Sequence, residues 1–198
     1  VPLFFLLLQA GLAVAQTAPA NLELLNRTLH AVAVETARHI DLPDSAGLHY
    51  AAARESAAWD WLFERALYDE LSVKRGLRLH RVEAAVSEWP LLFYAPLELR
   101  IRYDHHRAGS GRSVRWATAR LYVKYQDPTG ELIFSSEVER TLVDTIRSDQ
   151  IAALEDHAYP FTAGERTPPS RLKRILEPLL LTAITGGIIY LFYSFRSN

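Results

Sequence analysis

The chain has 198 residues, 49% apolar and 23% charged, with seven histidines and a formal net charge of −1. That length suits one folded domain with appendages, and the near-neutral balance gives no global attraction to nucleic acid or acidic surfaces. No cysteine occurs, which excludes disulfides, thiolate metal sites, cysteine nucleophiles and lipid attachment at a cysteine.

The opening VPLFFLLLQAGLAV is an apolar run of h-region length, and Ala13 and Ala15 fit the A-x-A pattern of a signal-peptidase site. Residues 1–15 therefore read as a signal peptide and residues 16–20 as a linker. No charged n-region precedes the run, so a short buried helix is the competing reading. Asn21 is placed to cap a helix running to about His39, with Leu22, Leu25, Leu29, Val32, Ala33 and Thr36 on one face. Pro43, Asp44 and Gly47 break the chain, and a short strand is expected over Leu48–Ala53. Ser56 suits the cap of a second helix, which Lys74, Arg75 and Gly76 close. Trp59, Leu62, Phe63, Ala66, Leu67 and Leu71 share one face of it, with Glu70 at the margin. Trp61 and Tyr68 lie on another side, as a second packing contact or as an aromatic patch for a partner.

Residues 77–83 alternate as a short strand. Leu91–Tyr103 makes a long one, with Leu97, Leu99, Ile101 and Tyr103 alternating against Glu98, Arg100 and Arg102. A polar loop leads to a strand over Val114–Tyr125. Asp127-Pro128-Thr129-Gly130 carries a type I turn signature, and Glu131–Val138 returns as the last strand. These three segments form an antiparallel meander. The order predicts an α+β domain over residues 21–139, with two helices packed on one face of a mixed sheet of about five strands. Arg100, Arg102, Trp116, Arg120, Tyr122 and Lys124 are expected on the opposite face, with Glu98, Glu131 and Glu137 among them. Cross-strand charge compensation on a wet face is the simplest account, and a partner-binding face is the functional alternative.

Residues 140–174 read as an extended linker with a short helix, Asp149–Glu155, capped by Ser148. From Pro178 to Phe195 there is no charge. Those residues span roughly 27 Å as a helix, close to the hydrocarbon thickness of a bilayer. A transmembrane helix is expected over 175–195, with a tail at 196–198, and Thr182, Gly186 and Gly187 offer close helix packing within the membrane. Arg171, Lys173 and Arg174 precede it, and Arg196 alone follows. The positive-inside rule would then hold the domain in the cytoplasm as a tail-anchored protein, whereas the signal peptide exports it. The signal takes precedence, because a whole domain translocates largely regardless of charge.

Motifs of chemistry are sparse. His105 and His106 are neighbours on a loop, where extended side chains point to opposite faces, and no H-E-x-x-H accompanies them. Gly109-Ser110-Gly111 lacks the strand-to-helix setting of a nucleophile elbow. No phosphate-binding glycine loop occurs, and no carboxylate pair stands out. The reading therefore assigns no catalytic residue, cofactor, metal or nucleic-acid partner.

From Leu48 to Val82 the sequence reads strand, break, SAAWDWLFERALYDEL, then RGLRLHRV. This stretch resembles the β-α-β unit of exported domains related to the TolB amino-terminal domain, the curli-secretion protein CsgG and the penicillin-binding-protein activator lipoproteins. The resemblance implies a non-enzymatic envelope domain that binds other proteins. The apolar carboxyl-terminal segment and the missing cysteine depart from that pattern. The combined expectation is an extracytoplasmic (periplasmic) domain tethered to the membrane by one helix and binding an envelope protein. An envelope hydrolase or polymer-modifying enzyme, and a structural subunit of a membrane complex, are the rival readings.

Overall fold

The computed structural model describes residues 18–53, 57–82, 88–105 and 111–166. The expected signal peptide, Ser56, His106 and the membrane helix at 175–195, with Thr182, Gly186 and Gly187, lie outside them. Among the described residues, no helix is long and apolar enough to cross a membrane.

The elements are α1 (Asn21–Ala37), β1 (Gly47–Ala52), α2 (Asp60–Leu67), which continues into a π-helical stretch (Tyr68–Val73), β2 (Arg78–Arg81), β3 (Leu91–His105), β4 (Arg112–Gln126), β5 (Leu132–Arg147), the short α3 (Ile151–Leu154) and β6 (Gly164–Arg166). The sheet order is β2-β1-β3-β4-β5, and β6 pairs with β3 beyond the end of β1. Strands β1, β2 and β6 run parallel to their neighbours, while β3, β4 and β5 form the expected antiparallel meander. The β-α-β unit read at 48–82 is present as β1-α2-β2.

Period-two patterning sets which face is covered. On β4, Arg115, Ala117, Ala119, Leu121, Val123 and Tyr125 are buried, and most of the residues between them are half-buried. Both helices lie on the buried side. Leu29, Val32, Phe63, Leu67 and Leu71 pack there with Leu48, Leu92, Tyr94, Leu121 and Val123 in one apolar cluster. Around Leu97 the register slips, from Pro96 opposite Leu121 to Glu98 opposite Arg120. Leu92 and Tyr94 face the core before this bulge, and Ile101 and Tyr103 after it. Pro96 has no N–H to give the ladder, and Leu97 is the extra residue, 45% exposed. The sequence alternation wrongly placed Leu97 with the inward set.

Three further readings are corrected. Strand β5 runs to Arg147, so residues 140–147 belong to the sheet and not to a linker. Leu142 and Ile146 supply their apolar contacts, and the charges between them hid the alternation. Glu131 sits in the turn before β5, where its N–H donates to the Asp127 carboxylate at 2.9 Å. Ser148 caps nothing; its hydroxyl meets that of Ser113 at 2.8 Å, and the helix starts at Ile151.

Asn21 is also not a cap. It is the first residue of α1, fully buried, and its amide donates to the Tyr103 hydroxyl (2.6 Å) and the Thr162 carbonyl (2.7 Å). The Asn21 side-chain oxygen Oδ1 accepts from Arg115 Nη1 at 2.8 Å, which also donates to the Pro19 backbone carbonyl at 2.8 Å. Arg115 is itself fully buried and grips Asp144 bidentately, at 2.9 and 2.5 Å. One guanidinium thus ties the start of α1 to β4 and β5, and Asn21 extends the tie to β3 and the segment before β6.

Replacing Arg115 with Ala leaves Asp144 and Asn21 without their donor. We expect a loss of about 3 kcal/mol of unfolding free energy, the lower part of the range for a broken buried pair, because Asp144 keeps partial solvent access. Glu23→Ala, which removes an exposed partner of Arg27, should cost under ~0.5 kcal/mol in the same urea titrations.

Candidate functional site

The face of the sheet opposite the helices carries all six residues expected there. Across β3 and β4, Arg102 lies beside Trp116, Arg100 beside Thr118, Glu98 beside Arg120, and Phe93 beside Lys124. On the other side of β4, Val143, Glu139, Glu137 and Ser135 oppose Trp116, Arg120, Tyr122 and Lys124.

Charge on this face is mostly compensated. Arg100 meets Glu98 at 2.7 Å and Arg102 meets Asp104 at 3.1 Å. Arg120 sits between Glu98 (3.6 Å) and Glu137 (3.7 Å). Each is a partly exposed pair contributing little to stability. Tyr122 and Ser135 share a hydroxyl contact of 2.6 Å. The Arg102 guanidinium lies 5.3 Å from the centre of the Trp116 ring, within cation–π reach. What sets the region apart is unused donor capacity. The Trp116 indole N–H and the Nε–H groups of Arg102 and Arg120 are out of contact with solvent and have no acceptor among the described residues. An unpaired buried donor costs free energy, so an incoming carbonyl or carboxylate would be favoured here.

The second expected patch is rearranged. Trp61 and Tyr68 are both exposed, at 41% and 55%, but no ring contact joins them among the described residues. Trp61 instead meets Tyr159 at 5.8 Å, and Tyr159 meets Phe161 at 5.6 Å. The patch is therefore built from α2 and the segment before β6, which the sequence left as linker.

Two clusters escaped the sequence reading. At the far ends of β1 and β2, Tyr94 donates its hydroxyl to Glu64 at 2.9 Å, and Glu64 pairs with Arg81 at 3.2 Å. Asp60 lies in the same region, buried. One oxygen accepts the Ala57 N–H at 3.0 Å and the other has no partner among the described residues. Burial holds its carboxyl above the ordinary range, the Ala57 bond opposes this, and Glu64 adds to it. Asp60 and Glu64 are four apart, a spacing that reads equally as acid loading of a helix start. On the open side, His49 and His80 occupy matching positions of parallel strands, and both rings contact Trp89, at 4.8 and 4.7 Å. A side chain at Gly47 would strike the Trp89 ring at 2.6 Å, so glycine lets it pack flat. No group of three metal-ligating side chains converges among the described residues. The side chains of His105 and His106 lie outside them.

No protein-family model matches the chain, and no curated protein matches it. Among solved structures it is similar to rare lipoprotein B from Shewanella oneidensis, with 13% identity over 73% of this chain and 98% of that one, at a TM-score of 0.34.

The buried phenols predict an alkaline limit. Burial is the first cause that pushes Tyr94, Tyr103 and Tyr125 above their ordinary value, and Glu64 pushes Tyr94 further. Above about pH 10 the unfolded chain releases these protons while the folded chain retains them, so stability falls as pH rises. Each phenol should add up to about 1.4 kcal/mol of loss per pH unit there. Urea midpoints between pH 8 and 11 should bend downward near pH 10, and less steeply in Tyr94→Phe.

Proposed function

We propose that this chain is a membrane-tethered, extracytoplasmic protein-binding domain of the bacterial cell envelope, and that it binds through the open face of its sheet. The carrying observation is the stretch around Arg102 and Trp116, where three donors are withdrawn from water without acceptors on a face that no described element covers. A protein partner with main-chain carbonyls or carboxylates at its surface satisfies them once these partly exposed side chains turn toward it. The aromatic and arginine composition is that of interface anchors. Export by residues 1–15 and tethering by residues 175–195 are the sequence half of the proposal. A tether raises the effective concentration of the domain near a membrane-bound partner, so modest affinity suffices.

The test is photo-crosslinking in cells, with a photoreactive residue placed at Trp116 or Tyr122 and, as control, at the exposed Arg27 on α1. Adducts with one envelope protein from the two sheet positions and none from Arg27 support the reading. Trp116→Ala should weaken that complex about tenfold, the loss of one interface anchor worth about 1.4 kcal/mol. Adducts of equal yield from all three positions, or adducts only from Arg27, would contradict it.

A further inference from the structure

The long edge of the sheet carries a second message. Among the described residues β5 has a neighbour on one side only, β4, and its other edge runs for 16 residues. An edge of this length is a template for another strand unless it is blunted. Short strands, prolines and covering loops are the usual means; β5 contains no proline and relies on charge instead.

Those charges are not randomly placed. Along β5 they are Glu137, Glu139, Arg140, Asp144 and Arg147. We infer that β5 pairs antiparallel with β5 of a second copy, in the register centred on Leu142. In that register Glu137 faces Arg147 of the second copy, and Arg140 faces Asp144. Two-fold symmetry repeats both pairs. Val138 meets Ile146, Thr141 meets Val143, and Leu142 meets itself. Arg140 and Asp144 also hold Glu35 and Arg115 within their own copy, so the exposed pair that the contact adds is Glu137–Arg147, made twice by symmetry, and no charge faces its own sign.

Neighbouring registers do worse. Centring on Arg140 or Asp144 sets like charges face to face, and centring on Val138 sets Glu137 against Glu139. Centring on Val143 gives the Glu139–Arg147 pair twice, but it leaves Arg140 and Asp144 opposite apolar residues and carries Glu137 past the end of the partner's β5 towards Asp149. Centring on Thr141 opposes no like charges but forms no ion pair, so among these registers only the one centred on Leu142 sets Glu137 against an opposite charge. An isologous contact of this kind closes as a dimer and leaves no sticky edge for further growth.

The chain offers a clean test. Glu137 and Arg147 are exposed, with side chains 58% and 69% accessible, and lie about 33 Å apart along one strand. They cannot meet within a single copy. In sedimentation experiments on the full chain in detergent, the wild type should dimerise. Glu137→Arg and Arg147→Glu should each be monomeric at concentrations where the wild type is mostly dimer, with unchanged circular dichroism. The double variant E137R/R147E should regain the dimer. Because the native chain lacks cysteine, Leu142→Cys alone should form an interchain disulfide under mild oxidation. A wild type that stays monomeric at every concentration overturns the inference and leaves the edge to another chain or to residues 167–198. Dimers that persist in both single variants, or a double variant that stays monomeric, overturn it as well.

Discussion

The buried guanidinium of Arg115 is the constraint on which the rest of the structure depends. An arginine cannot lose its charge, so its burial on the core side of β4 is tolerable only if its donors are satisfied together. Asp144 and, at the start of α1, the Asn21 side chain and the Pro19 carbonyl do this, and they come from two distant parts of the chain. The start of α1, the middle of the meander and the return of the carboxyl-terminal segment are therefore fixed relative to one another by a single polar site. The hydrophobic cluster supplies most of the burial, but a cluster of Leu, Val and Phe tolerates sliding; a fully bonded guanidinium does not.

That arrangement commits the helices to one side of the sheet. Aromatic and aliphatic residues fill the covered side, while the other keeps four basic side chains, their acidic neighbours and Trp116. Compensated ion pairs explain why such a face is soluble. They do not explain donors withdrawn from water without acceptors, and that residue of unspent bonding is the reason for assigning binding to this side. The β5 edge is a separate surface at right angles to it, so a dimer through the edge would carry two open faces on one continuous sheet.

Much of this was legible in the sequence. The meander and both helices follow from their periodicity, and so does the parity that puts Arg100, Arg102, Trp116, Arg120, Tyr122 and Lys124 on one face. Part of what was missed has one physical cause: polar groups buried by long-range partners look local in a sequence. Asn21 reads as a cap because its partners Tyr103, Thr162 and Arg115 lie 82, 141 and 94 residues away. Arg140 and Asp144 read as linker because their partners, Glu35 and Arg115, also lie outside the local sequence, Arg115 29 residues before Asp144. The bulge at Leu97 was hidden because one inserted residue leaves the alternation intact on either side of it. The pairing of His49 with His80 depends on a parallel register that no local pattern encodes.

The central functional claim is one of place: a domain held outside the cytoplasm by a carboxyl-terminal tether. Protease treatment of spheroplasts, on membranes that retain the protein at alkaline pH, tests it most directly. The account predicts that the folded domain is digested from outside while a fragment containing residues 175–195 stays with the membrane. Protection of the domain until lysis would contradict it, and would mean that Arg171, Lys173 and Arg174 had set the topology of a cytoplasmic, tail-anchored protein.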